Sequence, residues 1–154
     1  MATYNKFQFD LIMVRFNNQK VDLPKKIAGL VRSYFIGSFR RQEWDGKPWK
    51  EVQRRIEGTP EYKYPKKTQL SRRTNPILVG TYKGRSGGTL RRAVNNSIRE
   101  QNWNTIRLGI DVEYAKYHNE GTDKLAKRQF MGDSKELRKQ IKGKLELEIK
   151  NIFK

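Results

Sequence analysis

The apolar positions change period along the chain, and each change marks an element. Ile27, Leu30, Val31, Tyr34, Phe35 and Ser38 follow one another in steps of three and four, which places them on one face of a helix. Asp22 is positioned to cap that helix, and Pro24 to sit in its first turn, where its missing amide proton is harmless. The spacing predicts a helix from about Pro24 to Gln42, ~28 Å long at 1.5 Å per residue. Trp44-Asp45-Gly46 ends it as a turn whose glycine permits positive φ. Upstream, Phe7, Phe9, Leu11 and Met13 alternate with Ile12, Val14 and Phe16, so both faces of this stretch are apolar and the period does not separate strand from buried helix. It reads as an N-terminal arm that must pack on something, such as a neighbouring subunit, and Asn17-Asn18-Gln19-Lys20 breaks it.

Beyond the turn the pattern dissolves. From Glu57 to Gly88, prolines 60, 65 and 76, a glycine cluster and many basic residues predict a long loop, with Ile77-Leu78-Val79 as a short strand inside it. A loop of this length is usually functional, or disordered until it meets a partner. Thr89 is placed to cap a short helix through Leu90, Ala93 and Val94. Ile106, Leu108, Ile110 and Val112 alternate with Arg107, Gly109 and Asp111, a strand, joined through Gln101 to Asn104 in a hairpin back to 96–99. A terminal helix starts at Asp133 or Ser134, with Asp133 and Glu136 as a capping-box-like pair. Its apolar face is Leu137, Ile141, Leu145, Ile149 and Ile152. The expected fold is α+β: long N- and C-terminal helices packed on a small antiparallel sheet, with a long basic loop. Residues 1–154 read as one domain, with 1–18 as an oligomerisation arm and 57–88 as the basic loop.

Charge alters this picture more than size does. The 154 residues carry a net charge of +18, unevenly spread. Residues 24–73 hold fourteen Lys and Arg against five acids, and residues 74–110 hold six against one, whereas 111–132 balance at four and four. Such a cationic middle favours polyanions or an acidic protein surface. Lys63, Lys66, Lys67, Arg72, Arg73 and Arg85 are the expected polyanion contact. With Tyr62, Tyr64 and Tyr82 interleaved, base stacking and an acidic protein interface both remain open, as does a plain solvated surface. Without a cysteine, neither a disulfide nor a thiolate metal site exists. The N-terminus shows no signal-peptide pattern and no apolar run approaches the ~20 residues that span a bilayer, so a soluble, cytosolic protein is expected.

Candidate chemistry is sparse. His118 is the single histidine, too few for a histidine-metal site; its ring is expected to pack on a helix face, with its nitrogens bonding the following loop. Gly84-Arg85-Ser86-Gly87-Gly88-Thr89 precedes a helix but lacks the lysine of a P-loop, leaving a flexible connection or a passive phosphate contact. Glu43 and Asp45 share one turn, so nothing holds them across a substrate as a glycosidase pair requires. Asp45-Gly46 reads as a turn clamped to the core by Trp44 and Trp49. No catalytic residue, cofactor or metal is expected.

Four motifs in order carry a resemblance. Tyr114-Ala115-Lys116-Tyr117-His118-Asn119-Glu120-Gly121 is followed by Arg128-Gln129-Phe130-Met131-Gly132-Asp133-Ser134. This resembles the "Tyr-Ala-x-x-His-x-x-Gly", loop, "Arg-x-Phe-x-Gly-x-Ser" and terminal helix of the phage virion morphogenesis family, the Mu-like tail completion and head–tail joining proteins. Upstream, Ser38-Phe39 with Asp45-Gly46-Lys47-Pro48-Trp49, then Ile77-Leu78-Val79 with Gly88-Thr89-Leu90-Arg91, are similar to the family's "Ser-Phe … Asp-Gly-x-x-Trp" and "Ile-Leu-Val … Gly-x-Leu-Arg" segments. The likeness runs from about Ile27 to the C-terminus. The chain departs from it at Arg128-Gln129-Phe130-Met131, where the family more often has Arg-Pro-Phe-Leu, and in an apparent insertion from Tyr82 to Gly87. The resemblance implies a ring-forming virion subunit without a catalytic site. Its partners would be copies of itself, portal, connector or tail-tube proteins, and packaged DNA touched without sequence preference. It would be assembled in the host cytoplasm, with no membrane involved.

Overall fold

The structure is a computed structural model and describes residues 9–64, 73–78 and 87–154. Its first element, α1 (Phe9–Arg41), is a single helix of 33 residues, ~50 Å long. The expected break at Asn17 to Lys20 does not occur, and Pro24 lies inside the helix instead of at its start. An internal proline removes one helical hydrogen bond and costs about 3 kcal/mol, so continuity here rests on contacts made on both sides of it. Arg15 donates to the Ile152 carbonyl at 3.4 Å, Gln19 to Glu148 at 3.1 Å and Lys26 to Glu148 at 2.7 Å. Phe16 meets Trp103 edge-on at 6.0 Å. Asp22 pairs with Lys25 in solvent and caps nothing.

Gln42 takes a positive φ and ends α1. A two-residue hairpin follows, β1 (Glu43–Trp44) antiparallel to β2 (Lys47–Pro48), with Glu43 opposite Pro48 and Trp44 opposite Lys47. A 3-10 turn covers Gln53–Arg55 and a one-turn helix α2 covers Pro60–Lys63, capped by Thr59. The segment expected as loop from 57 therefore opens with a helical turn, because Thr59 followed by Pro60 is a helix start. The expected strand at Ile77 to Val79 is not one. Ile77 and Leu78 form a turn, with Leu78 at φ +60°, a left-handed conformation no strand contains; Val79 lies outside the described residues. Ile77 is held there by its amide, which donates to the Gln42 side chain at 3.0 Å.

Helix α3 (Thr89–Asn95) leads into the hairpin of β3 (Ile98–Gln101) and β4 (Ile106–Leu108), irregular between Ile98 and Glu100. Pairing stops at Leu108, so the strand expected to reach Val112 is shorter, though Ile110 and Val112 still pack on the core. Gly88, not Thr89, holds the cap position of α3; the Thr89 hydroxyl instead accepts from Arg92 at 3.3 Å. A short helix α4 (Ala115–Glu120) and the long α5 (Lys135–Ile152) complete an α+β fold. α5 runs antiparallel to α1, with Ser134 beside Tyr34 and Ile152 beside Arg15. Between them lies a core of Tyr34, Phe35, Phe39, Trp49, Leu90, Val94, Phe130 and Leu137. Among the described residues no helix is long and apolar enough to cross a membrane.

Candidate functional site

The motif residues, scattered from Ser38 to Ser134, meet at one end of this core. Asp45 and Gly46 both take positive φ, at +53° and +76°, the backbone of a type I′ hairpin turn, for which Asp-Gly is a favoured pair. That turn aims the Asp45 carboxylate at the first turn of α5. Oδ2 accepts from the Lys135 amide at 3.0 Å, and Oδ1 accepts from the Glu136 amide at 3.2 Å and the Ser134 hydroxyl at 2.6 Å. Ser134 in turn caps the helix, its Oγ accepting from the Leu137 amide at 3.0 Å. The Tyr34 hydroxyl lies 2.7 Å from the Ser134 hydroxyl and donates to Asp45 Oδ1 at 3.3 Å. Three orphan amides of α5 are thereby satisfied from two different segments. The Ser134 hydroxyl and the two amides hold the Asp45 carboxyl down at about 2, while burial pushes the Tyr34 hydroxyl up. Asp133, expected as the cap, instead pairs with Arg138.

A second junction fastens the segment 128–131. The indole N–H of Trp49 donates to the Gln129 carbonyl at 2.8 Å, and Trp49 stands edge-on to Phe39 at 5.7 Å. Phe39 meets Phe130, 1% exposed, at 5.2 Å. Trp44 packs on Tyr34 and Phe35, so both tryptophans hold the Asp45-Gly46 turn to the core. Arg128 is buried; it donates to the Lys50 carbonyl at 3.0 Å and the Glu51 carbonyl at 3.3 Å. Burial pulls its pKa down. Its role is to tie two loops together.

α4 supplies the remaining contacts. Tyr114 precedes it, Ala115 is buried, and Gly121 ends it at φ +82°. A side chain at Gly121 would place Cβ 2.9 Å from the Lys127 amide, so close return of the chain requires glycine there. The His118 carbonyl accepts from the Arg128 amide at 2.7 Å. The His118 ring stands edge-on to Tyr114 at 5.8 Å, and its Nδ1 is buried without a partner, contrary to the expected bond to the following loop. Burial, and then the Arg128 charge, lower its pKa. Asn119 makes the bond expected of histidine, its Oδ1 accepting from the amides of Phe130 and Met131, both at 3.0 Å. Nothing in the hydrophobic pattern singles out Asn119; the available signal was an amide residue in the last turn of a helix facing an irregular loop.

The glycine-rich and basic segments stand apart from this junction. Gly88 and the buried Leu90 open α3, and Leu90 enters the core from there. Gly132 bends the chain between Met131 and the cap. Lys63 is exposed. Arg73 lies over the Tyr62 ring at 3.6 Å, and its backbone carbonyl accepts from Arg55 at 2.8 Å, so it also serves to hold α2. Lys66, Lys67, Arg72 and Arg85, with Tyr82 and Gly84, lie outside the described residues. Glu43 pairs with Arg41 and Asp45 is occupied by α5, so these carboxylates do not face one another as an acid–base pair. No group of three His, Asp or Glu side chains is arranged to hold a metal ion among the described residues.

Comparison of the chain with protein-family models, with curated proteins and with solved structures gave no match. The geometry of the junction therefore stands by itself. Its hydrogen bonds run to backbone amides and carbonyls and among Tyr34, Asp45 and Ser134, and they lock α1, the β1–β2 hairpin, α4 and α5 together.

Proposed function

We propose that the chain is a structural subunit of a phage virion, acting in tail completion or head–tail joining and assembling as a ring in the host cytoplasm. The observation that carries this reading is the convergence of the family-like segments. Ser38-Phe39, Asp45-Gly46-Trp49, Tyr114 to Gly121 and Arg128 to Ser134 resemble the family in order along the chain, and they meet in one junction. A scaffold with such a junction presents surfaces instead of performing a reaction, and the exposed apolar turns at the start of α1 give it a surface to bury against a neighbour. Portal, connector or tail-tube proteins are the proposed partners, with the basic middle of the chain meeting their acidic faces or the packaged DNA.

A second reading, a small basic protein binding nucleic acid without sequence preference, draws only on the net charge of +18 and on the tyrosines interleaved with the basic residues. Mass in solution at high salt separates the two. Exposed charges are screened beyond ~8 Å at physiological salt and at shorter range above it, so a ring held by apolar contact persists as a large particle while the second reading gives a monomer or dimer. Imaging particles from a phage lacking this protein tests the first reading directly. Full heads apart from finished tails, or tails of wrong length, support it; normal virions sink it.

A further inference from the structure

Helix α2 is a single turn, too short to persist by itself, and it is braced from two directions. The Thr59 hydroxyl caps it, accepting from the Tyr62 amide at 3.3 Å, and lies 2.7 Å from the Gln53 carbonyl. The segment 73–77 supports its other side. Ile77, 4% exposed, is anchored in the core. Arg54 donates to the Asn75 and Pro76 carbonyls, both at 2.9 Å, and Arg55 to the Arg73 carbonyl at 2.8 Å and the Asn75 carbonyl at 2.6 Å. Arg73, fixed in this way, lays its guanidinium over the Tyr62 ring at 3.6 Å and donates to the Tyr62 carbonyl. What this bracing presents to solvent is Lys63, Tyr64 and Arg73, with Tyr64 80% exposed. An aromatic ring so exposed adds nothing to the core, yet the element that carries it is tied down at every corner.

The surroundings are cationic. Residues 50–76 carry eight Lys and Arg against three acids. Of the acids, Glu51 pairs with Arg55 at 3.4 Å, while Glu57 and Glu61 stand exposed. We infer that this surface is a stacking platform for single-stranded nucleic acid, with an unpaired base on the Tyr64 ring and the neighbouring phosphates against Lys63 and Arg73. Every base has a π-face, so a tyrosine beside cations holds a strand without regard to its sequence. An acidic protein surface would answer the charge equally, but its carboxylates offer no flat face for the ring to cover. The inference rests on the nucleic-acid contact named in both readings above.

Fluorescence anisotropy of a labelled oligothymidylate strand at low salt reads this contact on the full-length protein, with circular dichroism as the control for folding. Tyr64→Ala should lower the affinity roughly five- to a hundredfold, the range covered by one lost base stack, and Tyr64→Phe should retain it. A duplex of the same strand with oligodeoxyadenylate, whose base faces are closed, should lose less than about twofold with Tyr64→Ala, and so should polyglutamate. An equal loss on strand, duplex and polyglutamate would make Tyr64 part of a general cationic face and overturn the platform. So would a loss in Tyr64→Phe as large as in Tyr64→Ala, which would point to the hydroxyl. Strand binding that Tyr64→Ala leaves unchanged also overturns the platform, while the nucleic-acid contact stands. A wild-type protein that binds neither strand nor duplex removes that contact from both readings, and the ring, read by sedimentation, then stands or falls by itself.

Discussion

Replacing Asn119 with alanine should loosen the segment 128–131 and leave the buried Phe130 ring as its main anchor. The wild-type side chain accepts from two backbone amides, those of Phe130 and Met131, each at 3.0 Å. A buried donor left unpaired costs about 1–3 kcal/mol. Both amides are partly buried, so water replaces some of what is removed, and we expect about 2–4 kcal/mol for the pair. That is a large part of the roughly 5–15 kcal/mol typical of a whole domain. The measurement is urea unfolding followed by tryptophan emission, because the Trp49 indole donates to the Gln129 carbonyl at 2.8 Å and so reports on this very segment. Protein concentration must be held fixed, since any subunit association adds stability by mass action. Asn119→Asp keeps the acceptor oxygens and should recover most of the stability. A cost below about 0.5 kcal/mol for Asn119→Ala would refute the reasoning, because the two amides would then be adequately hydrated. In that case Phe130 burial alone anchors the segment, and Phe130→Ala, expected at about 3–5 kcal/mol, would show no coupling to it in a double-mutant cycle.

Acid should weaken the fold through two carboxylates. The Asp45 and Glu148 carboxyls are both held at about 2, Asp45 first by the Ser134 hydroxyl and Glu148 first by Lys144 and then Lys26. Depressed values mean that their stabilisation is complete above the ordinary 3.8 and 4.5 and disappears as pH falls toward about 2; Asp45→Asn and Glu148→Gln should each flatten melting temperature against pH in that window. His118, lowered by burial, stabilises above its ordinary 6.5 and loses that contribution as pH falls through its folded value. His118→Ala should cost about 1–2 kcal/mol at pH 7, and stoichiometric zinc or manganese binding that disappears with the substitution would overturn its structural role. Deleting residues 1–14 should leave a folded, smaller species, while unfolding without a change in assembly would place the arm in the monomer core. Neutralising Lys63, Lys66, Lys67, Arg72 and Arg85 should abolish DNA retention and lower the log–log salt slope by roughly 0.9 for each phosphate that is no longer neutralised. Tight, sequence-selective DNA binding at physiological salt would count against the proposed structural role.

How far the sequence could be read depended on the range of the interaction. The Asp45-Gly46 turn, the glycine end of α4 and most of the apolar face of α5 are local and visible in a few consecutive residues, although Ile149, expected on that face, is exposed and Glu148, held by Lys26 and Lys144, is buried in its place. Asp45 also caps α5 from 90 residues away in sequence, and no local pattern records such a task. Gln42, which receives the Ile77 amide and thereby turns an expected strand into a bend, is hidden for the same reason. The first turns of α1 were ambiguous because a segment apolar on both faces has no period to read. Polar Asn17 to Lys20 looked like a break, and contacts with α5 and the β3–β4 hairpin overrode that weak local preference. His118 and Asn119 exchanged roles because imidazole and amide both suit a helix end, and only the direction of the loop decides between them.

Pro24 gives α1 a joint as well as a contact. Its missing amide leaves the Lys20 carbonyl without the donor every other turn of the helix supplies, so resistance to bending is lowest at that point. Outboard of it lie the exposed turns beginning at Phe9; inboard lie Tyr34, Ser38 and the junction with α5. The contacts of Arg15 and Gln19 with α5 and of Phe16 with Trp103 brace that joint from outside. The long helix therefore stays straight by what it leans on, and Pro24→Ala, which restores the missing hydrogen bond, should raise the melting temperature without changing the fold.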